Sequence, residues 1–371
     1  MEKDKIESKT KHLTYFKVEN FKCFKEFELN DIGQFNLFLG DNNVGKTNVL
    51  EALLIDSNLS QFLHNIASSF VERNLIFTVN SSPEFNFMKL LFNIFLKEDK
   101  IKFDLKYSDS KSENYEVNLM EYSDLTQNDL KNVRLAIKSN NNKENGNKGI
   151  IKFKVNEKIE IDYIDYSLHF NSYTGYFPFV GMRKSYGDDL ILFFSESIQK
   201  SKLLTKELVS ELQTFIPNLE NIEISSGIIQ NKNFLIARLK DYDGAIVFPS
   251  FGEGTSKLLR ILLEISYCKN SRLMIDEIDT GIHFSRFKSF WRTFLKSAKK
   301  NNVQLFMTTH NFECLKYLKE VLLEDDMKEF QDLTRSYTLN KLPDSSIKAY
   351  NYNFNEFEFA LKQGIELRGG N

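Results

Sequence analysis

The sequence predicts an α/β fold: a parallel sheet whose strand ends carry a phosphate-binding loop and a pair of acids. Three stretches predict it. Phe35-Asn36-Leu37-Phe38-Leu39 reads as a buried strand, leads into the glycine-bearing loop Gly40 to Thr47, and opens onto helical spacing from Asn48 to Ile55. A second apolar run, Leu273-Met274-Ile275, stops at Asp276-Glu277. A third, Val303 to Met307, stops at Thr308-Thr309-His310. Open parallel sheets hold their ligands beyond the carboxyl ends of the strands, which is where all three runs turn polar.

Residues 1–12 form a charged, loose start with no apolar segment of the kind a secretory signal needs. From Leu13 to Leu29, Tyr15, Val18, Phe21, Phe24, Phe27 and Leu29 recur at short intervals. Strands joined by turns near Glu19-Asn20 and Cys23-Phe24-Lys25 fit that spacing. The glycine loop has the form GxxxxGK[ST] in a strand–loop–helix context. Gly40 and Gly45 permit a tight turn, so the backbone of Asp41, Asn42, Asn43, Val44 and Asn48 can face an anion at a helix start. In that setting Lys46 reaches the β- and γ-phosphates of a nucleotide, and the Thr47 hydroxyl holds Mg²⁺. The helix that follows is expected to run to about residue 66.

The middle third is looser. Ile76 to Val79, Ile101 to Leu105, Tyr115 to Leu119, Ile151 to Val155 and Ile159 to Tyr163 read as strands, and Met88 to Leu96 as a short helix. Ser139 to Gly149 is a polar low-complexity tract expected to be a loop. The chain divides on this reading into residues 13–66 with the phosphate loop, a β-rich insertion over 67–175, and a second nucleotide-domain part over 176–371. In that last part Ile191 to Ile216 has helical spacing broken near Lys200-Ser201-Lys202 and stopped by Pro217. Ile222 to Ile224, Phe234 to Leu239 and Ala245 to Phe248 read as short strands.

Ser250-Phe251-Gly252-Glu253-Gly254-Thr255-Ser256-Lys257 then precedes an apolar-periodic run, Leu258 to Tyr267, again a glycine-bearing loop opening a helix and a potential anion seat. In the strand ending at Asp276-Glu277, Asp276 would hold Mg²⁺ through water and Glu277 would polarise an attacking water. His310 would sense or bind the γ-phosphate. From Gly254 to Asp276 is 22 positions, room for a helix and a strand. From Glu277 to His310 is 33 positions, room for a loop, a helix and a strand.

Composition narrows the function classes. Lys+Arg 49 against Asp+Glu 51 leaves a formal net charge of -2, so no global basic excess announces nucleic-acid binding. Cys23, Cys268 and Cys314 are far apart and form no zinc pattern, which reads as reduced thiols in a cytoplasmic protein. No apolar run has membrane-span length, so no membrane partner is expected.

The order of motifs resembles the AAA/ABC-type ATPases of the RecF, SMC and OLD (overcoming-lysogenization-defect) branch. The residues that carry it are Val18-Glu19-Asn20-Phe21-Lys22-Cys23-Phe24, GDNNVGKTNVLEAL, FGEGTSKLL, LMIDEIDTGIH, MTTHNFECL and the tail from Phe354 to Arg368. The resemblance covers residues 13–55 and 175–370 and implies a P-loop NTPase of the ABC-head kind. It implies ATP and Mg²⁺ as ligands and two heads joined head to tail, each ATP lying between one P-loop and the partner's signature loop. By position Gly252, Gly254 and Thr255 match the signature. Gly-Glu-Gly replaces its usual Ser-Gly-Gly core, and Ser250 stands two residues earlier, so either hydroxyl is a candidate for the γ-phosphate. Asp279 corresponds to the acid that crosses the head interface. Arg183, at a strand end, is a candidate nucleotide or interface contact, with a plain surface arginine as the alternative.

The chain shows no long heptad run, and on this reading no TOPRIM-type nuclease domain is expected after residue 371. The resemblance therefore implies a standalone ATPase that works with a separately encoded nuclease or toxin in bacterial antiphage defence. The alternatives are a RecF-like DNA-repair ATPase that binds DNA, with Lys296 to Lys300 as a basic piece that a solvated helix face explains more cheaply, and a nucleotide-dependent binding protein with little turnover.

Overall fold

The computed structural model describes residues 11–73, 100–120, 148–165, 176–182, 184, 186–226 and 233–365. The sequence expectations for Ile76 to Val79, Met88 to Leu96 and Arg183 lie outside them, as does most of the polar tract at 139–149.

The N-terminal strands β1 (Leu13–Phe21) and β2 (Phe24–Leu29) form a hairpin with Val18 opposite Phe27. Four middle strands follow: β4 (Lys100–Tyr107), β5 (Ser112–Met120), β6 (Lys148–Val155) and β7 (Lys158–Asp165). All six make one antiparallel sheet in the order β2-β1-β4-β5-β6-β7. The hairpin and the middle strands, read as two β-rich regions, are thus continuous, with Val18 paired to Phe103. Alternating apolar residues give this sheet one buried face.

The central sheet holds β3 (Phe35–Gly40), β8 (Phe179–Val180), β12 (Arg272–Ile275), β13 (Gln304–Thr308), β14 (Thr334–Lys341) and β15 (Ile347–Tyr352). Its order is β15-β14-β3-β13-β12-β8, and every pair but β14–β15 is parallel. All six residues of β3 are buried, as a strand covered on both faces requires. Phe38, Met274 and Phe306 face the core shared with the antiparallel sheet, α1 (Lys46–Ala52) and α2 (Leu59–Glu72). Leu37, Ile275 and Leu305 face the other core.

That second core is closed mainly by helices. They are α3 (Asp189–Phe193), which continues into a π-helical turn at Phe194–Ile198, α4 (Lys202–Leu212), α5 (Glu253–Tyr267), α6 (Phe287–Lys300), α7 (Phe312–Leu322) and α8 (Phe354–Gln363). A three-stranded sheet, β9 (Leu219–Ser226), β10 (Asn233–Leu239) and β11 (Tyr242–Val247), precedes α5.

Two boundaries differ from expectation. The helix after the glycine loop does not run unbroken to residue 66: it stops at Ala52, and Asn58 caps a new helix by accepting a hydrogen bond from Gln61 N–H at 3.0 Å. Leu53, Leu54 and Ile55 are buried in the turn between them, so apolar spacing there came from packing rather than from helix. Phe248 belongs to a 3₁₀ turn, Phe248–Phe251, rather than to a strand. The expected break near Lys200 is where Ser201 caps α4.

Candidate active site

β3, β12 and β13 are parallel neighbours, so the residues after them meet at one edge of the sheet. A pocket of about 550 Å³ opens there, lined by Asn42, Asn43, Gly45, Lys46, Thr47, Asn48, Arg73, Asp276, Glu277 and His310. Three of the loop's backbone positions are left-handed: Gly40 at φ 144°, Asn43 at φ 66° and Gly45 at φ 101°. A methyl group on Gly40 would lie 2.8 Å from the Leu339 carbonyl oxygen, so the loop is glycine there for space as well as for angle. Asp41, Asn42 and Asn43 are exposed at the rim, and Val44 tucks under it.

Lys46 is only 8% exposed and donates to the carbonyl oxygens of Gly40 at 2.6 Å and Asp41 at 2.9 Å. Burial pushes its ammonium pKa down, and nearby Asp276, Glu277 and Asp41 oppose that shift. The Thr47 hydroxyl donates to Asp276 Oδ2 at 2.9 Å, and the Thr308 hydroxyl donates to Asp276 Oδ1 at 2.6 Å. Asp276 is therefore held from both sides with Thr47 in contact.

Glu277 has φ 48°, an unusual conformation for a non-glycine residue that over-determined contacts must hold. Its N–H donates to Thr308 Oγ1 at 2.8 Å, and Lys257 from α5 donates to its carbonyl oxygen at 2.7 Å. Its carboxylate accepts from Thr280 at 3.3 Å and lies 3.2 Å from His310 Nε2. His310 Nδ1 is buried without a partner among the described residues. A neutral imidazole donating from Nε2 leaves that nitrogen as an unspent acceptor.

The second glycine loop lies elsewhere. Of the described residues lining the pocket, none comes from Ser250 to Thr255. Ser250 and Gly252 are exposed, while the Thr255 residue is 9% exposed. Gly254 packs against the turn after the acids, where a methyl group would lie 2.6 Å from the Gly281 carbonyl oxygen. Asp279, in the same turn, accepts from the Thr309 hydroxyl at 2.5 Å within its own chain.

Four residues of the site went unread in the sequence. Thr308 reads in sequence only as part of a strand end, and Lys257 only as the last residue of the second glycine loop, whereas the helix already begins at Glu253 and includes it. The Lys257 ammonium is buried and its pKa is pushed down to about 8 by desolvation, against the pull of Asp279, Glu277 and Glu253. Arg73 and Lys22 converge on Glu51, at 2.6 Å each. Arg73 also donates to Asn48 Oδ1 at 2.8 Å, and Asn48 Nδ2 contacts Cys23 Sγ at 3.0 Å. The β1–β2 turn thus braces the helix that carries Lys46. No local spacing signals these pairs, because each joins distant segments.

Two outcomes follow. Glu51 has a side chain 1% exposed, so Glu51→Ala strands two cations and should cost about 3 kcal/mol, read as a lower urea midpoint. Thr308→Val removes the hydroxyl shared by Asp276 and the Glu277 amide. It should lower ATP turnover by about tenfold or more while the thermal midpoint falls by only a few degrees.

Comparison with known families agrees with this geometry. The family described as "AAA domain, putative AbiEii toxin, Type IV TA system" matches residues 35–315, from the first residue of β3 into α7. The chain belongs to this AAA-domain family. It is accordingly a P-loop ATPase of the AAA type. This AAA protein is 24% identical over 370 residues to an ATP/GTP phosphatase of Helicobacter pylori, with 88% of this chain and 91% of that one covered. It is 34% identical over 118 residues to an uncharacterized protein of Methanocaldococcus jannaschii, with 32% of this chain and 99% of that one covered. An SMC head domain from Thermotoga maritima overlays with TM-score 0.46 and 9% identity, covering 92% of this chain and 99% of that one. Among the described residues no helix is long and apolar enough to cross a membrane.

Proposed function

We propose that this AAA ATPase works as two copies joined head to tail, trapping ATP between the P-loop of one and the Ser250–Thr255 loop of the other. The observation that carries the pairing is the separation of the two glycine loops: the P-loop lines the pocket, and the second loop presents Ser250 and Gly252 to solvent. A second copy would bring that surface over the pocket. Ser250 is the more accessible of the two candidate hydroxyls for the γ-phosphate, since Thr255 is buried.

Thr47 and Asp276 fit Mg²⁺: a hydroxyl and a carboxylate oxygen 2.9 Å apart are hard ligands of the kind that ion takes alongside phosphate oxygens. Bound there, the ion would neutralise charge building on the transferred phosphoryl group. Lys46 binds the β- and γ-phosphates. Glu277 orients and polarises the attacking water, with His310 at its carboxylate. Lys257 holds the Glu277 backbone from the helix that carries the partner-facing loop, so closure of two heads reaches the catalytic acid directly.

Closing on ATP and opening on hydrolysis would hold or release a separately encoded effector, a nuclease or a toxin. The family description, which names a toxin–antitoxin system, supports that direction. Mass photometry tests the pairing. The Glu277→Gln chain with saturating Mg·ATP should shift from one-copy to two-copy mass or a multiple of it. One-copy mass under saturating ATP would refute the shared site.

A further inference from the structure

At the end of β12 and β13 opposite the nucleotide pocket lies a cavity of about 380 Å³. Part of its wall is apolar, including Leu13, Leu54 and Met274. Arg272, the first residue of β12, lines it and is only partly exposed. Its guanidinium donates to the backbone carbonyl of Ile55 and, among the described residues, has no carboxylate within ion-pair distance. Lys11 stands on the same wall, paired with Asp109 at 3.0 Å. Asp56 is also there, accepting from the Asn58 N–H at 2.8 Å.

A guanidinium carries five donors in a planar fork, and one carbonyl answers few of them. Withdrawing such a cation from water is costly unless an anion meets it, and a carboxylate or phosphate meets it with two parallel hydrogen bonds. We propose that this cavity binds a small organic or inorganic oxyanion on the Arg272 guanidinium, and that binding there is transmitted to the nucleotide pocket. The route is short. β12 runs from Arg272 to Ile275 and delivers Asp276. Ile55 follows the end of the helix that begins with Lys46 and Thr47. An anion that draws Arg272 away from the Ile55 carbonyl therefore acts on both elements that hold Thr47 against Asp276. This second clause rests on the ATPase reading; the binding site does not.

The test is titration calorimetry of citrate and, separately, of inorganic phosphate into the full-length Lys46→Ala chain, whose P-loop is disabled. At least one anion should bind with Kd below about 1 mM. Adding Arg272→Gln should weaken binding by about tenfold or more, and adding Lys11→Gln, at an exposed position that leaves the fold intact, by about threefold. Binding of citrate alone assigns a carboxylate ligand, and of phosphate alone a phosphate ligand. If neither anion binds, or if both variants bind as their parent does, the site is refuted. With an intact P-loop, the binding anion should change ATP turnover by about twofold or more, and Arg272→Gln should abolish that response. Binding without a turnover response removes the transmission. A chain with no turnover in any condition speaks against the ATPase reading and leaves the calorimetric result standing.

Discussion

Lys46→Ala should abolish nucleotide retention: affinity for ATP is expected to fall by about a hundredfold or more, with turnover lost alongside it. The reasoning starts from burial. Lys46 is 8% exposed as a residue, and its ammonium sits against the carbonyl oxygens of Gly40 and Asp41, inside the loop that would wrap the phosphates. A cation desolvated in advance interacts strongly with an incoming triphosphate, and truncating one member of such a pair costs about 3 kcal/mol or more. Lys46→Arg should not rescue it, because a planar fork cannot donate to both carbonyls and fit beneath the phosphates as a compact ammonium does. Equilibrium binding of a fluorescent ATP analogue measures the effect, and retention at parental affinity would remove Lys46 from its assigned place.

Glu277→Gln should separate binding from chemistry. Turnover is expected to fall by roughly a thousandfold while ATP affinity stays within about threefold. The substitution is nearly isosteric, and the contacts that position this residue are largely those of its backbone: Thr308 to the amide and Lys257 to the carbonyl. A glutamine oxygen still accepts from His310, so the geometry survives and only the basic carboxylate is lost. Single-turnover phosphate release reads the chemical step; unchanged release would assign the polarising role to another group.

The parts of this molecule that could be read from the chain are those in which local sequence and local structure coincide. The stretch from Phe35 to Thr47 was legible because a fully buried strand, two obligatory glycines and a helix start follow one another without interruption. The placement of the acid pair and His310 at one sheet edge was legible because the strands before them turn abruptly from apolar to polar. Lys257, Arg73 and Thr308 carried no such mark, since a basic or hydroxyl side chain looks the same in sequence whether or not it meets the residues of the candidate site. The broken helix was misread for a related reason: Leu53 to Ile55 pack as tightly in a turn as they would in a helix. For the basic piece Lys296 to Lys300 a solvated helix face is the cheaper reading, and the ion pairs agree with it. Lys296, Lys299 and Lys300 are each 2.5 Å from a carboxylate oxygen, on Asp326, Glu329 and Glu207 respectively, and offer little free positive charge.

The strand order of the central sheet sets a timetable for synthesis. β3 is translated long before its two hydrogen-bonding neighbours, β13, where Leu305 pairs with Phe35, and β14, where Thr334 does. Until those distant segments have been translated, a strand whose six residues are all buried in the fold has both edges unsatisfied. The nascent chain must keep that strand from pairing with other polypeptides throughout the intervening translation, so the phosphate loop at its end acquires its final support only once β13 and β14 have been made.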